Sequence, residues 1–236
     1  MKESDEAIKI YQGYAKERRD STSPEYIKYL QHYVLNIHFN GKTDNGKTID
    51  FGGSEGRPTR LIENVIVVEI DQQARDVMNK LGIPNLRNMD LIDDGSLDTV
   101  YSSHVLEHVE NPFEQLKEFY RKLKPKGKLI LVIPCESSVL GMEEYDPNGH
   151  LFAWNKATIN TLLIRAGFEI ESNEYAALGS SVKFIGIGLY TKLMKNKFIS
   201  RMARLVSLLK CELLNKRNCG KIALRFWIAL LICFIW

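Results

Sequence analysis

Cysteine is scarce in this chain and never paired in sequence. The four residues, Cys135, Cys211, Cys219 and Cys233, form no Cys-x-x-Cys motif. That argues against a zinc site and against a disulfide framework. Long apolar runs are missing as well. The terminal run 226–236 holds 11 residues, about half of the ~20 that a spanning helix needs. Residues 1–6 are acidic overall, with no apolar core, so no signal peptide is expected. A reducing, cytoplasmic setting follows. Internal repeats and low-complexity segments are absent. Acidic residues are almost missing from the end of the chain: from Lys192 onward there are ten Lys and Arg against Glu212 alone. That tail carries +9, residues 1–191 carry −6, and the total is +3.

What is present is an ordinary globular balance, 26% charged and 44% hydrophobic, enough for one sizeable core with appendages. Residues 48–56, Thr-Ile-Asp-Phe-Gly-Gly-Ser-Glu-Gly, are the most informative stretch. A short apolar run ends in Asp50 and turns at once through Gly52, Gly53 and Gly56. Glycine accepts positive φ and lets a ligand approach bare backbone, as at the first turn of a doubly wound nucleotide fold. The next strand, 65–70, carries Glu69 near its end, where an acid can hold two ribose hydroxyls; Asp71 is the alternative.

The pattern fits a nicotinamide dinucleotide poorly. The first glycine of Gly-x-Gly-x-x-Gly would fall on Phe51, and Asp50 would repel a pyrophosphate. A cationic or zwitterionic nucleoside such as S-adenosylmethionine suits Asp50 better. A helix-like stretch follows at 72–81, then a third strand at 86–90 ending in Asp90, and a fourth at 97–103. A helix through 113–123, the turn 124–127 and an apolar strand at 128–134 come next. Strands alternating with helices predict a parallel sheet covered by helices.

The pair "SSHVLEHVENP" and "LKPKGKLILVIP", with "GHLFAWNKATINTLLIRAGFEI" further on, resembles the class I S-adenosylmethionine-dependent methyltransferases. The branch with ubiquinone-biosynthesis and sugar O-methyltransferases is the most similar. The resemblance implies a Rossmann-like, doubly wound, mostly parallel α/β sheet of seven strands, with helices on both faces. It implies S-adenosylmethionine as cofactor, held by Asp50, Gly52, Gly53, Gly56, Glu69, Asp90, Ser103 and His104. Asp50 would take the amino group and Glu69 the ribose hydroxyls. Asp90 would take the adenine amino group, with Met89 and Leu91 against the ring. Two departures stand out: Ser54 replaces a glycine, and only 12 residues separate Gly56 from Glu69. The first crossover helix, near 58–63, is therefore expected to be short, with Pro58 in its first turn.

An alcohol acceptor gains from a general base near neutral pKa, which is histidine's range. His108 and His150 are the catalytic candidates, although either can also serve as a plain loop residue. His32 and His38 carry no motif. Glu143, Glu144 and Asp146 have no metal-binding spacing, and no metal is expected.

Residues 1–46 read as an N-terminal helical lid, with helices at 8–17 and 24–37, the second capped by Ser23 with Pro24 at its first position. Tyr11, Tyr14, Tyr26, Tyr29 and Tyr33 either line an acceptor pocket or pack on the sheet. Residues 47–191 form the methyltransferase domain. Residues 192–236 read as a basic amphipathic helix followed by an apolar run, a C-terminal tail for peripheral contact with the inner face of the cytoplasmic membrane. Self-packing or an oligomer contact is the other reading of that tail; nucleic acid is not expected. The activity expected is O-methylation of a small-molecule or glycolipid acceptor, a lipid-linked or cell-envelope saccharide first. A quinone precursor, or a non-catalytic methyltransferase-like binding protein at membranes, is the alternative.

Overall fold

The computed structural model describes residues 22–134 and 149–173. The chain divides into two compact units, 1–173 and 174–236, and all described residues lie in the first. The expected helix at 8–17, the acidic cluster at 143–146 and the tail at 192–236 fall outside the described residues.

Helix α1, Pro24–Tyr33, starts where the sequence says it should. Ser23 accepts the Tyr26 N–H on its side chain at 3.2 Å, and Pro24 occupies the first helical turn. Such a cap contributes about 1 kcal/mol. A π-helical turn, Val34–His38, continues it. Strands β1 (Thr48–Phe51), β2 (Val65–Val68), β3 (Asn85–Leu86), β4 (Leu97–Ser103) and β5 (Leu123–Val132) follow, with α2 (Gln72–Lys80) between β2 and β3. A 3-10 turn (Leu106–His108) and α3 (Pro112–Lys122) lie between β4 and β5, and α4 (Lys156–Arg165) comes last.

The sheet order is β3-β2-β1-β4-β5 and every pairing is parallel. The chain runs outward from β1 to one edge and then returns to its other side, so the crevice lies at the carboxyl ends of β1 and β4. One face buries Ile49, Val68 and Val100 against Leu116 and Phe119 of α3 and Ile159 of α4. Each such large side chain taken from water contributes about 1.5–3 kcal/mol. The alternate residues point the other way, where Tyr101 packs with Val34 and Phe39. Helical elements thus cover both faces, as expected for a doubly wound sheet.

Five strands occur among the described residues. Residues 168–170, after α4, have no strand pairing. The third strand is also shorter than expected, because the chain leaves the sheet after Leu86 and turns at Asn88–Asp90. The expected helix near 58–63 is replaced by turns. The reason is local: β2 begins at Val65, and Thr59 and Ile62 are held by a turn bond, Ile62 N–H to Thr59 O at 2.8 Å. At 124–127 the chain bulges from the β4–β5 ladder, whose register jumps from Leu97↔Leu123 to Thr99↔Lys128. The turn expected at 124–127 is instead a bulge within β5, with Lys126 at φ +67°.

Candidate functional site

Asp50 lies one residue before the end of β1, in register between Val67 of β2 and Tyr101 of β4. Apolar neighbours on both sides leave it 2% exposed. Its Oδ2 accepts the Thr59 hydroxyl at 2.7 Å. Burial pushes its pKa up to about 7, against the Thr59 bond, and the Glu69 charge adds to the rise.

The turn over Asp50 has no room for side chains. Gly52 sits at φ +71°, and a Cβ there would lie 2.3 Å from Val105 Cγ2. A Cβ on Gly53 would lie 2.5 Å from Asp50 Oδ2, and one on Gly56, at φ +63°, 2.9 Å from Val67 Cγ2. The backbone is therefore pressed between the ends of β1 and β2 and the loop after β4. Ser54 occupies the left-handed region at φ +52° without being glycine.

Glu69 is the clamp of this turn. Its Oε2 accepts the Ser54 N–H at 2.8 Å and its Oε1 the Asp71 N–H at 2.8 Å. Burial raises its pKa, while these backbone bonds favour the carboxylate. The buried Arg75 guanidinium donates to Glu69 O at 2.6 Å and Ile70 O at 2.7 Å, fixing the strand end from α2. Asp71, the alternative ribose acid, instead caps α2 through the Gln73 N–H at 2.9 Å. Each Glu69 oxygen retains a lone pair for a ligand hydroxyl.

Asp90 is not drawn into this cluster. It lies on an exposed turn, its carboxylate accepting from Asn88 Nδ2 at 2.7 Å. Met89 is buried in the core beside α3, while Leu91 is 81% exposed. Of the two, only Leu91 is free to meet a flat ring.

The loop after β4 brings a second group of side chains together. Ser103 ends the strand, and His104 follows at φ +57°, its N–H bonded to Val132 O at 2.9 Å. His104 Nδ1 stands 3.4 Å from Glu107 Oε1. Glu107 is 0% exposed, and neither of its carboxylate oxygens accepts a hydrogen bond. Its backbone carbonyl receives the N–H groups of Leu151 at 2.8 Å and Phe152 at 3.3 Å. That bond carries His150 to His108, whose rings meet edge to face with centroids 4.9 Å apart. His108 Nδ1 contacts Gly149 O at 3.3 Å.

The sequence reading passed over three residues here. Thr59 sits in a turn whose spacing from Asp50 has no signature. Glu107 reads as a loop acid in the sequence, but its side chain is buried. His38 Nδ1 bonds the buried Tyr101 hydroxyl at 3.0 Å, joining the segment after α1 to β4. Tyr29 and Tyr33 are fully packed rather than facing an acceptor, and Tyr26 is half-buried against Tyr29.

The methyltransferase-domain family matches residues 24–173. Among solved structures, an S-adenosylmethionine-dependent methyltransferase of Thermotoga maritima is similar, with 24% identity and TM-score 0.56, covering 70% of this chain and 82% of that one. A Haloferax volcanii methyltransferase in complex with a methyltransferase activator has 16% identity and TM-score 0.56, covering 73% and 80%. A phosphoethanolamine N-methyltransferase of Haemonchus contortus, in complex with phosphoethanolamine and S-adenosylhomocysteine, has 14% identity and TM-score 0.50, covering 67% and 40%. The comparison with curated proteins found no match.

The residues present fit S-adenosylmethionine, which supplies a methyl group activated on a sulfonium. Asp50 offers a buried carboxylate for the ammonium, and Glu69 offers lone pairs for the ribose diol. The glycine turn offers backbone where any Cβ would intrude. The match spans well over half of the chain and the sheet order is that of the fold, so the chain belongs to the methyltransferase-domain family and is a class I S-adenosylmethionine-dependent methyltransferase.

Proposed function

We propose that this enzyme methylates a hydroxyl group, on a lipid-linked or cell-envelope saccharide presented at a membrane surface. One observation carries the hydroxyl: His108 and His150 stand with ring centroids 4.9 Å apart, tied to the loop that leaves β4 beside the glycine turn. A hydroxyl is a poor nucleophile near neutral pH and must shed its proton as it reacts, which is imidazole chemistry. Asp50 and Glu69 form the donor pole, and the His108–His150 cluster forms the acceptor pole. Holding both partners in line supplies much of the rate enhancement when the methyl group is already activated.

The membrane surface is read from the sequence. Residues 192–236 carry +9 and end in an apolar run. Lys and Arg near anionic lipid contribute roughly 1 kcal/mol each, so a peripheral inner-membrane location fits. A quinone precursor is the other membrane-borne hydroxyl acceptor with the same chemistry.

The test is a transfer assay with methyl-labelled donor on membrane lipid extracts. Label in a lipid-extractable saccharide that survives mild alkali, as an ether does and an ester does not, supports the proposal. Label in the quinone fraction selects the second acceptor. Label confined to amines overturns the hydroxyl reading.

A further inference from the structure

We propose that His104 is the general base that takes the acceptor's hydroxyl proton, and that the buried carboxylate of Glu107 positions its ring. The inference rests on the hydroxyl reading above and assigns the proton to one imidazole.

Three observations meet on this pair. First, Glu107 is wholly buried and neither carboxylate oxygen finds a hydrogen-bond donor. A buried carboxylate left that way is costly unless a cation comes to it. Second, the group that faces it is His104, whose Nδ1 stands 3.4 Å from Glu107 Oε1. Among the described residues no other cationic side chain lies within ion-pair distance of that carboxylate. Third, His104 holds φ +57°, a left-handed conformation uncommon for a residue with a side chain. Its N–H bond to Val132 O at 2.9 Å fixes this kink just past the end of β4. Backbone held in this way gathers at sites where a side chain must be aimed.

The kink lies where a base is needed. β4 frames the crevice together with β1, and His104 is the first residue beyond it. The next residue, Val105, packs on the glycine turn so closely that a Cβ on Gly52 would lie 2.3 Å from its Cγ2. His104 is thus one residue from the wall of the donor turn, with its side chain 53% exposed. Its Nδ1 is turned to Glu107, so Nε2 is the nitrogen that meets an acceptor. His108 and His150 are committed differently. Their rings pack edge to face at 4.9 Å, and His108 Nδ1 contacts Gly149 O. They join the chain beyond β5 to this loop and wall the acceptor pole.

A base oriented by a third group is the general logic of an activated nucleophile. Glu107 keeps the proton of the neutral ring on Nδ1, which makes Nε2 the proton acceptor. The acceptor's O–H bond breaks and its proton goes to Nε2. The electron pair left on oxygen forms the bond to the methyl carbon, while the carbon–sulfur bond breaks toward the positively charged sulfur. The imidazolium faces the Glu107 carboxylate, which offsets its charge, and then returns the proton to solvent across the exposed side of the ring. The 3.4 Å approach is long for a hydrogen bond, as catalytic bonds often are until the reacting complex forms.

The experiment reads the tautomer by NMR on the full chain labelled with ¹⁵N-histidine, at a pH where the imidazoles are neutral. The His104 ring, assigned by the signals missing in His104→Ala, should carry its proton on Nδ1 and none on Nε2. Glu107→Leu, which removes both acceptor oxygens and keeps the bulk, should lose that tautomer. His104→Ala should hold S-adenosylhomocysteine affinity within about threefold and lose label transfer to membrane lipid extracts by about a hundredfold or more. A parent ring protonated on Nε2 overturns the proposal, whether or not Glu107→Leu folds. So does an Nδ1 proton that survives in folded Glu107→Leu, product affinity lost in His104→Ala, or label transfer unchanged in it. Label confined to amines overturns the hydroxyl reading and this assignment with it, whereas an Nε2-protonated ring with label in an ether overturns the assignment alone.

Discussion

Ser54 donates its backbone N–H to Glu69 Oε2 at 2.8 Å, which ties the glycine turn after β1 to the tip of β2. One carboxylate therefore shapes the turn and is the one expected to take the ribose hydroxyls. Ser54→Pro removes the N–H and cannot adopt φ +52°. It should destabilise the fold by about 3 kcal/mol and abolish S-adenosylhomocysteine binding. Ser54→Gly, which keeps both the N–H and the conformation, should bind the product within about threefold of the parent. Thermal denaturation and calorimetry on the pair check this.

Gly52 faces Val105 so closely that even one methyl group is excluded, with 2.3 Å to Cγ2. Gly52→Ala should cost about 1–3 kcal/mol, from overpacking and a strained positive φ. Adding Val105→Ala opens the space and should recover part of the loss; the conformational part remains. Urea midpoints of the single and double variants separate the two.

Asp50 makes stability and donor binding depend on pH in opposite directions. Its folded pKa is raised from 3.8 to about 7, so between those values the native state holds the extra proton. Its stabilising contribution is present below about pH 4 and is lost as pH rises through about 7, by at most about 4 kcal/mol. Glu69, also raised, changes stability in the same sense, so Asp50→Asn should flatten the decline only in part. An ammonium ligand wants the carboxylate, so donor affinity should rise through about pH 7. Thr59→Val removes the hydroxyl bonded to Asp50 at 2.7 Å and should move that rise to higher pH, while Thr59→Ser leaves it in place. Calorimetric titrations from pH 5 to 9 read all three.

The order of elements was legible in the sequence because β1, β2 and β4 each end beside an informative residue. Asp50 with its glycines, Glu69, and the Ser103–His104 pair all mark strand ends. Ser23 and Pro24 marked the start of α1 by capping chemistry. What escaped depends on contacts between distant segments. Thr59 binds Asp50 because the crossover folds as turns instead of a helix. The backbone carbonyl of Glu107 is reached by Leu151 and Phe152, from beyond β5. Asp90 follows β3 where it has already left the sheet, and its carboxylate accepts from Asn88.

The tail makes a separate claim. Deleting residues 192–236 should move the enzyme from the membrane fraction to the supernatant, and liposomes with anionic lipid should recover only the full chain. High salt should weaken that recovery, since surface charges are screened within about 8–10 Å. Unchanged partitioning would leave the membrane reading without support.

The donor site is tested by calorimetric titration of S-adenosylhomocysteine into the full chain, Asp50→Asn and Glu69→Ala. The parent should show one site, with affinity reduced about tenfold or more in each variant while both remain folded. A parent that does not bind, or variants that bind as tightly as the parent, would contradict that site.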